Sequence, residues 1–438
     1  MPRAVDAAQQ AAGRAAAQAR EHSALNAPRR ELTLPDAIGI GVNGIVGSGI
    51  YLLVGPLARV GGGASVAGVL LCGALCVLIA FCFAELSSMY DRSGGPYVYA
   101  RDAFGSVAGF AVGWLGMSTG VLGLAAVALG FGTALQRFAS VPRAPAACVL
   151  ILALGVINWI GVKAGGRTST ALSVLKIAPL LALALVGVVK AAPHARVSLE
   201  PHGLLSAAFL SVFMMSGFEY AAVPAGEVRE ARRTVPLAIV GSIAGASLLY
   251  ALLQVTALGA LGALPGGAAQ AEQPLPDVAA ALVGGWGAQV IGLTAVISMV
   301  GFCAGVALVA PRYFMAMADD RYLPARLRQV RPAVVVSTLL ACAFSVLLGY
   351  ASLVDVSNVV ILSGYAFTCL ACFVLRFRRP DQPRRIRLPL AVPAIAFAAA
   401  VALLISAQPQ LSQWKFSGAL LCVGFLAWAA TALVESRP

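Results

Sequence analysis

The 438-residue sequence predicts an all-α polytopic membrane protein with twelve transmembrane helices. Three observations lead there. The chain is 60% hydrophobic and only 11% charged, with a mean hydropathy of +0.86, far from the composition of a soluble domain. Apolar windows of about 20 residues recur along it, each long enough to cross a bilayer. Its Lys and Arg residues fall in alternate loops, which sets an orientation. The net charge of +13, which in a soluble protein would suggest nucleic acid, is therefore a matter of sidedness. The lipid bilayer is the expected partner, and no nucleic acid.

In the first half the windows run from Ala37 to Leu57, Val66 to Met89, Ser106 to Leu135, Ala146 to Val162, Ser169 to Val189 and Leu204 to Val223. In the second half they run from Leu237 to Leu261, Ala288 to Met315, Ala333 to Tyr350, Val356 to Leu375, Leu388 to Ile405 and Ser417 to Val434. With the N-terminus inside, 24 of the 31 Lys and Arg residues lie on the cytoplasmic side. Arg59, Arg137, Arg143, Lys190, Arg196 and Lys415 lie outside; Arg312, at the inner end of the eighth window, is counted with the cytoplasmic side, which leaves Lys176 deep within a span. Both termini are thus expected to be cytoplasmic, in a multi-pass protein of the inner (cytoplasmic) membrane. Residues 1–34 have no apolar core of a cleavable signal, so they read as a cytoplasmic tail and the first span directs insertion.

The first span carries GVNGIVGSGIYLLVGP, Gly41 to Pro56. Its Gly47-Ser48-Gly49 core removes the side chains that stabilise helix, so the helix is expected to break at mid-membrane. Broken backbone at that depth persists only where protein or a polar ligand satisfies it, which makes Val46 to Ile50 a candidate ligand site. Glycine packing between helices is the competing explanation of such a run. The sixth span carries a second interruption. Ser216-Gly217 weakens the helix, Glu219 sets an acid near mid-membrane, and Pro224 and Gly226 discourage continuation. Interruptions at corresponding places in two halves point to a transporter site built from inverted repeats. For Glu219, capping of loose backbone amides is the alternative role.

Lys176 lies about two turns inside the fifth span, too deep for its stem to climb the ~10 Å to the interface. It is expected to point inward to carbonyls or a carboxylate, and a buried cation of this kind is a functional candidate. Gly39-x-Gly41-x-x-Gly44 matches a dinucleotide fingerprint only formally, because it sits inside a membrane helix rather than after a strand. The nine cysteines sit almost wholly within spans and read as apolar packers, Cys369 and Cys372 included. Histidines 22, 194 and 202 fall in loops or at span ends, and no catalytic motif is present. Neither an enzyme, a metal nor a cofactor is expected.

Four stretches in order carry a resemblance: GIVGSGIYLL in the first span, GGPYVYARDAFGSVAGFAVGW at the third, SGFEYAAVPAGEVREARRTVPLAI through the sixth and AMADDRYLP after the eighth. Together they resemble the amino acid-polyamine-organocation (APC) family of permeases over roughly residues 33 to 380. The resemblance implies the leucine-transporter fold: a first inverted repeat at 35–190, a second at 203–376 and two peripheral helices at 386–434. It also implies alternating access for amino acids or related amines, by a monomer or homodimer.

Carried over residue by residue, the resemblance places the substrate carboxylate at the amides of Ser48, Gly49 and Ile50, beside Gly47, at a half-helix N-terminus. Carbonyls of Ile45 and Val46, with Met214, Ser216 and Gly217, would take the ammonium. Phe213 stands where family members carry an aromatic gate, and Val306 at a pocket-wall position that is tryptophan in arginine-agmatine exchangers. Gly44 stands where those exchangers have asparagine, so their cationic substrate is not carried over and neutral amino acids are favoured. Lys176 matches a lysine of proton-coupled, sodium-independent relatives, which favours protons as the coupling partner. Glu219 is the competing proton carrier. An obligate exchanger, a polyamine carrier and a non-transporting amino acid sensor are the alternatives.

Overall fold

The computed structural model describes residues 32–90, 94–160, 166–222, 228–261, 273–406 and 408–435. Pro224 and Gly226 of the sixth span lie outside the described residues. Regular structure among the described residues is helical, apart from an isolated bridge between Leu32 and Val228. This is what a lipid-embedded chain requires, because a helix satisfies its own backbone donors and acceptors.

In chain order the helices are α1 (Leu34–Ile45), α2 (Gly49–Leu52), α3 (Val54–Gly61), α4 (Ser65–Ser87), α5 (Pro96–Phe104), α6 (Ser106–Leu135), α7 (Arg143–Ile160) and α8 (Gly166–Lys190). They continue as α9 (Pro201–Met215), α10 (Ala231–Leu261), α11 (Pro274–Val283), α12 (Gly285–Asp319), α13 (Val330–Leu347), α14 (Tyr350–Arg378), α15 (Ala391–Ser406) and α16 (Leu411–Glu435). Among the described residues, 10 helical stretches are long and apolar enough to cross a membrane. The protein is therefore a polytopic, all-helical membrane protein. Two expected spans fall short of that length as single helices: α1 stops after 12 residues, and α15 has 16.

Helix α6 is the centre. The most apolar part of it is 94% buried, against 17% for α16 at the edge. Around it pack α5, α7, α12, α13 and α14, while α10 packs on α1, α4 and α8. The edge helix α16 docks through Trp114, whose indole N–H donates to the Leu420 carbonyl at 2.8 Å, and through tilted ring contacts of Phe110 with Phe425 and Trp428.

Polar clusters fasten one end of the bundle. Glu85, fully buried at the end of α4, accepts from Arg376 Nε at 2.5 Å, Arg384 Nη1 at 2.8 Å and the Leu388 amide at 3.0 Å. A lone carboxylate there would be costly; two guanidinium groups and an amide compensate it. Nearby, Tyr97 and Arg101 of α5 both donate to Asp320 at the end of α12. The Gly94-Gly95-Pro96 turn expected from sequence is formed, with Gly94 at φ +122° and Gly95 at φ +46°.

Candidate functional site

Helix α1 is started by Pro35 and by the Asp36 carboxylate, which accepts from the Thr33 amide at 2.9 Å. It stops at Ile45, where Val46 leaves helical geometry with φ −83° and ψ 82°. Gly47 and Ser48 follow before α2 begins at Gly49. Helix α9 stops in the same way: Ser216 is extended, with φ −76° and ψ 164°, and Gly217 takes φ +106°, open essentially to glycine. A short 3-10 turn, Phe218–Ala222, comes next. Both interruptions expected from sequence are therefore present, and they touch. A Cβ on Gly217 would fall on the Gly44 carbonyl, and one on Gly44 on the Gly217 carbonyl.

The carbonyls freed at the first break are taken up by side chains from three other helices. Lys176 of α8, fully buried, donates from Nζ to the Val46 carbonyl at 2.8 Å. Ser298 of α12 donates to the same oxygen at 2.7 Å. Tyr250 of α10 donates to the Ile45 carbonyl at 3.2 Å. The inward reach expected of Lys176 is met by a carbonyl rather than a carboxylate. By contrast, the N–H groups of Ser48, Gly49 and Ile50 stand at or before the first turn of α2, where helix geometry provides no partner.

At the second break the carboxylate of Glu219 takes the loose amide. Its Oε2 accepts from the Gly217 N–H at 2.8 Å and from the Tyr365 hydroxyl of α14 at 2.7 Å. The capping role weighed for Glu219 in the sequence is realised, with Tyr365 as an additional partner.

A small cavity is lined by residues of both breaks. Ile45, Gly47, Ser48 and Gly49 line it from the first break, and Phe213, Ser216 and Tyr220 from the second. Helix α6 adds Thr119, Gly123 and Val127, α12 adds Phe302, and α14 adds Ser357 and Ile361. Among the described residues, no charged side chain lines it. The Ser357 hydroxyl is buried without a hydrogen-bond partner among the described residues. Phe213 meets Tyr350 edge-on, with centroids 6.4 Å apart, and the Tyr350 hydroxyl donates to Ser48 Oγ at 3.2 Å.

Of the residues singled out in the sequence, Ile45, Gly47, Ser48, Gly49, Phe213 and Ser216 meet in this cavity. Val46, Ile50, Met214, Gly217 and Val306 do not line it. Val46 turns its carbonyl to Lys176, Gly217 packs on Gly44, and Met214 packs where a Gly49 side chain would go. The α12 wall is Phe302, about one turn before Val306, which instead packs toward Gly120 of α6. Lys176 and Glu219 flank the breaks rather than line the cavity. Tyr250, Ser298, Phe302, Ser357 and Tyr365 were not singled out in the sequence. A hydroxyl or phenol at membrane depth was their only signal, and in Phe302 not even that.

The chain matches a family model described as amino acid permease over residues 32–428. It is 28% identical to an uncharacterised transporter of Mycobacterium tuberculosis over 93% of each chain. It is 25% identical to the branched-chain amino acid permease of Bacillus subtilis, over 93% of this chain and 92% of that one. It is 26% identical to the vacuolar cationic amino acid transporter 4 of Arabidopsis thaliana, over 80% of this chain and 64% of that one.

Proposed function

From the premise that this chain belongs to the amino acid permease family, a family of transporters rather than enzymes, we propose that it carries neutral amino acids across the cytoplasmic membrane by alternating access. The observation that carries the reading is the cavity itself. Two interrupted helices contribute to its lining, and among the described residues no charged side chain does. A zwitterion can be held there by backbone dipoles, while the apolar walls Val127, Phe213, Phe302 and Ile361 take its side chain.

In this reading α1 to α3 form one broken span and α9 with its 3-10 turn the corresponding one. Residues 35–190 and 203–376 are the inverted repeats, 386–434 the peripheral pair, and both termini are cytoplasmic. The substrate carboxylate sits at the amides of Ser48, Gly49 and Ile50. The Val46 carbonyl already accepts two hydrogen bonds. The ammonium therefore falls mainly to the end of α9 around Ser216, which lines the cavity. Phe213, packed on Tyr350, closes the cavity above. Protons are the coupling ion, with Lys176 and Glu219 as the two groups able to carry them.

Reconstituted vesicles test this directly. Labelled amino acids should enter empty vesicles, faster with an inward proton gradient than without. Uptake confined to preloaded vesicles would make the protein an exchanger, and saturable binding without flux would make it a sensor.

A further inference from the structure

A second small chamber adjoins the first cavity on the side of α5. The two share Thr119, Tyr220 and Ile361, which form a neck between them. Four aromatic side chains line the second chamber: Phe83 of α4, Tyr220 after the second break, Tyr313 of α12 and Tyr365 of α14. Phe83 and Tyr365 stand edge to face, centroids 5.9 Å apart. Glu219, only 5% exposed, lines the chamber among them.

The charge balance here is unusual. Glu85, the other buried carboxylate of this region, is met by two arginines. Glu219 is met by one amide and one phenol, both on Oε2, and among the described residues no Lys or Arg pairs with it. A buried carboxylate without a counter-charge is costly, and aromatic faces around it attract a cation. Oxygen ligands are too few for a metal ion, and no metal-holding group of side chains occurs among the described residues. An ammonium group fits both the carboxylate and the rings.

We infer that this chamber is a second binding site, specific for the ammonium group of a small organic amine. In the transport reading, on which this step rests, it receives the ammonium of an amino acid that has passed the neck of Thr119, Tyr220 and Ile361. The site itself needs no carboxylate on its ligand, so a simple amine separates it from the first cavity.

The test is equilibrium binding of labelled isopentylamine and labelled leucine to the protein in lipid nanodiscs. Isopentylamine should bind the wild type. Glu219→Gln should weaken it at least about tenfold, as loss of a buried charge partner does. Phe83→Leu should weaken it about threefold to tenfold, as loss of one cation–π face does. Gly123→Leu should leave it within about twofold, since Gly123 lines the first cavity and not the second, and a Cβ there makes only ordinary contacts, with Phe302 and Tyr220. The same variant should abolish leucine binding to the first cavity. The inference is overturned if the wild type binds no isopentylamine, if Gly123→Leu removes it, or if neither Glu219→Gln nor Phe83→Leu changes it. Should Glu219→Gln fail to fold, Phe83→Leu decides. Amine binding with the expected dependence but no binding of any amino acid would leave this site standing and sink the transport reading.

Discussion

The two helix breaks satisfy opposite halves of the peptide group. At the first, Val46 and Ile45 present carbonyls, and the donors are an ammonium, a serine and a tyrosine from three helices. At the second, Gly217 presents an N–H, and the acceptor is a carboxylate two residues away. The first break is thus held by distant parts of the chain and the second largely by its own neighbours. A change in the protonation of Lys176 would be felt by α1, α8 and α12 together. A change at Glu219 would be felt by the second break and α14. In the proposed transport reading, the difference would supply two chemically distinct levers on one cavity.

The largest effect is expected where the breaks touch. Gly217→Ala places a Cβ against the Gly44 carbonyl at a φ of +106°. Backbone strain of about 1–3 kcal/mol adds to overpacking of similar size, so thermal unfolding in detergent should show a loss of about 3 kcal/mol or more. A Gly217→Ala variant as stable as wild type would show that the contact between the breaks is not required. Next comes Gly49→Leu, whose side chain meets Met214 of α9 as well as the cavity. Substrate binding should be lost, as measured by equilibrium dialysis; normal affinity would remove the first break from the site.

Lys176→Ala should leave membrane insertion intact and abolish stimulation of uptake by an inward proton gradient. Unchanged stimulation would shift coupling to Glu219 and break the proposed division between the two levers. Ser298→Ala is the milder companion. It removes one of the two donors on the Val46 carbonyl, a hydrogen bond contributing about 0.5–1.5 kcal/mol, so substrate affinity should fall about twofold to tenfold. An effect as large as that of Lys176→Ala would mean the hydroxyl, rather than the ammonium, organises the first break.

These residues also mark how far the sequence could be read. The breaks were legible because glycine and serine at membrane depth have a local cause, and the depth of Lys176 was legible because span ends can be counted. Gly44 looked like a departure from the asparagine of arginine-agmatine exchangers; the structure gives it a packing reason, since Gly217 leaves no room for a Cβ. The partners were not legible. Tyr365 reaches Glu219 across 146 residues and Ser298 reaches Val46 across 252. No periodicity within one helix specifies which face of another it will meet. Phe302 was missed for Val306 because the position was assigned by resemblance, and about one turn along α12 separates a cavity wall from a packing residue. Helix α11 was missed because its 10 residues lie well below a span in length.

The smallest expected effect lies outside the membrane core, at the start of the second broken helix. Glu200 caps α9, accepting from the His202 amide at 3.0 Å and the Gly203 amide at 2.5 Å. Those backbone N–H groups, Gly203 first, hold its carboxyl below the ordinary carboxylate range. Because the folded-state value is the lower one, the cap contributes fully above the unfolded-state value and is lost as pH falls through the folded-state value. Glu200→Ala should therefore lower the melting temperature slightly at neutral pH, and the gap from wild type should narrow on acidification. A gap independent of pH would assign the loss to helix propensity rather than to the charge. A change in substrate affinity would mean that the N-terminal end of α9 communicates with Ser216, and that the second break is less self-contained than its hydrogen bonds indicate.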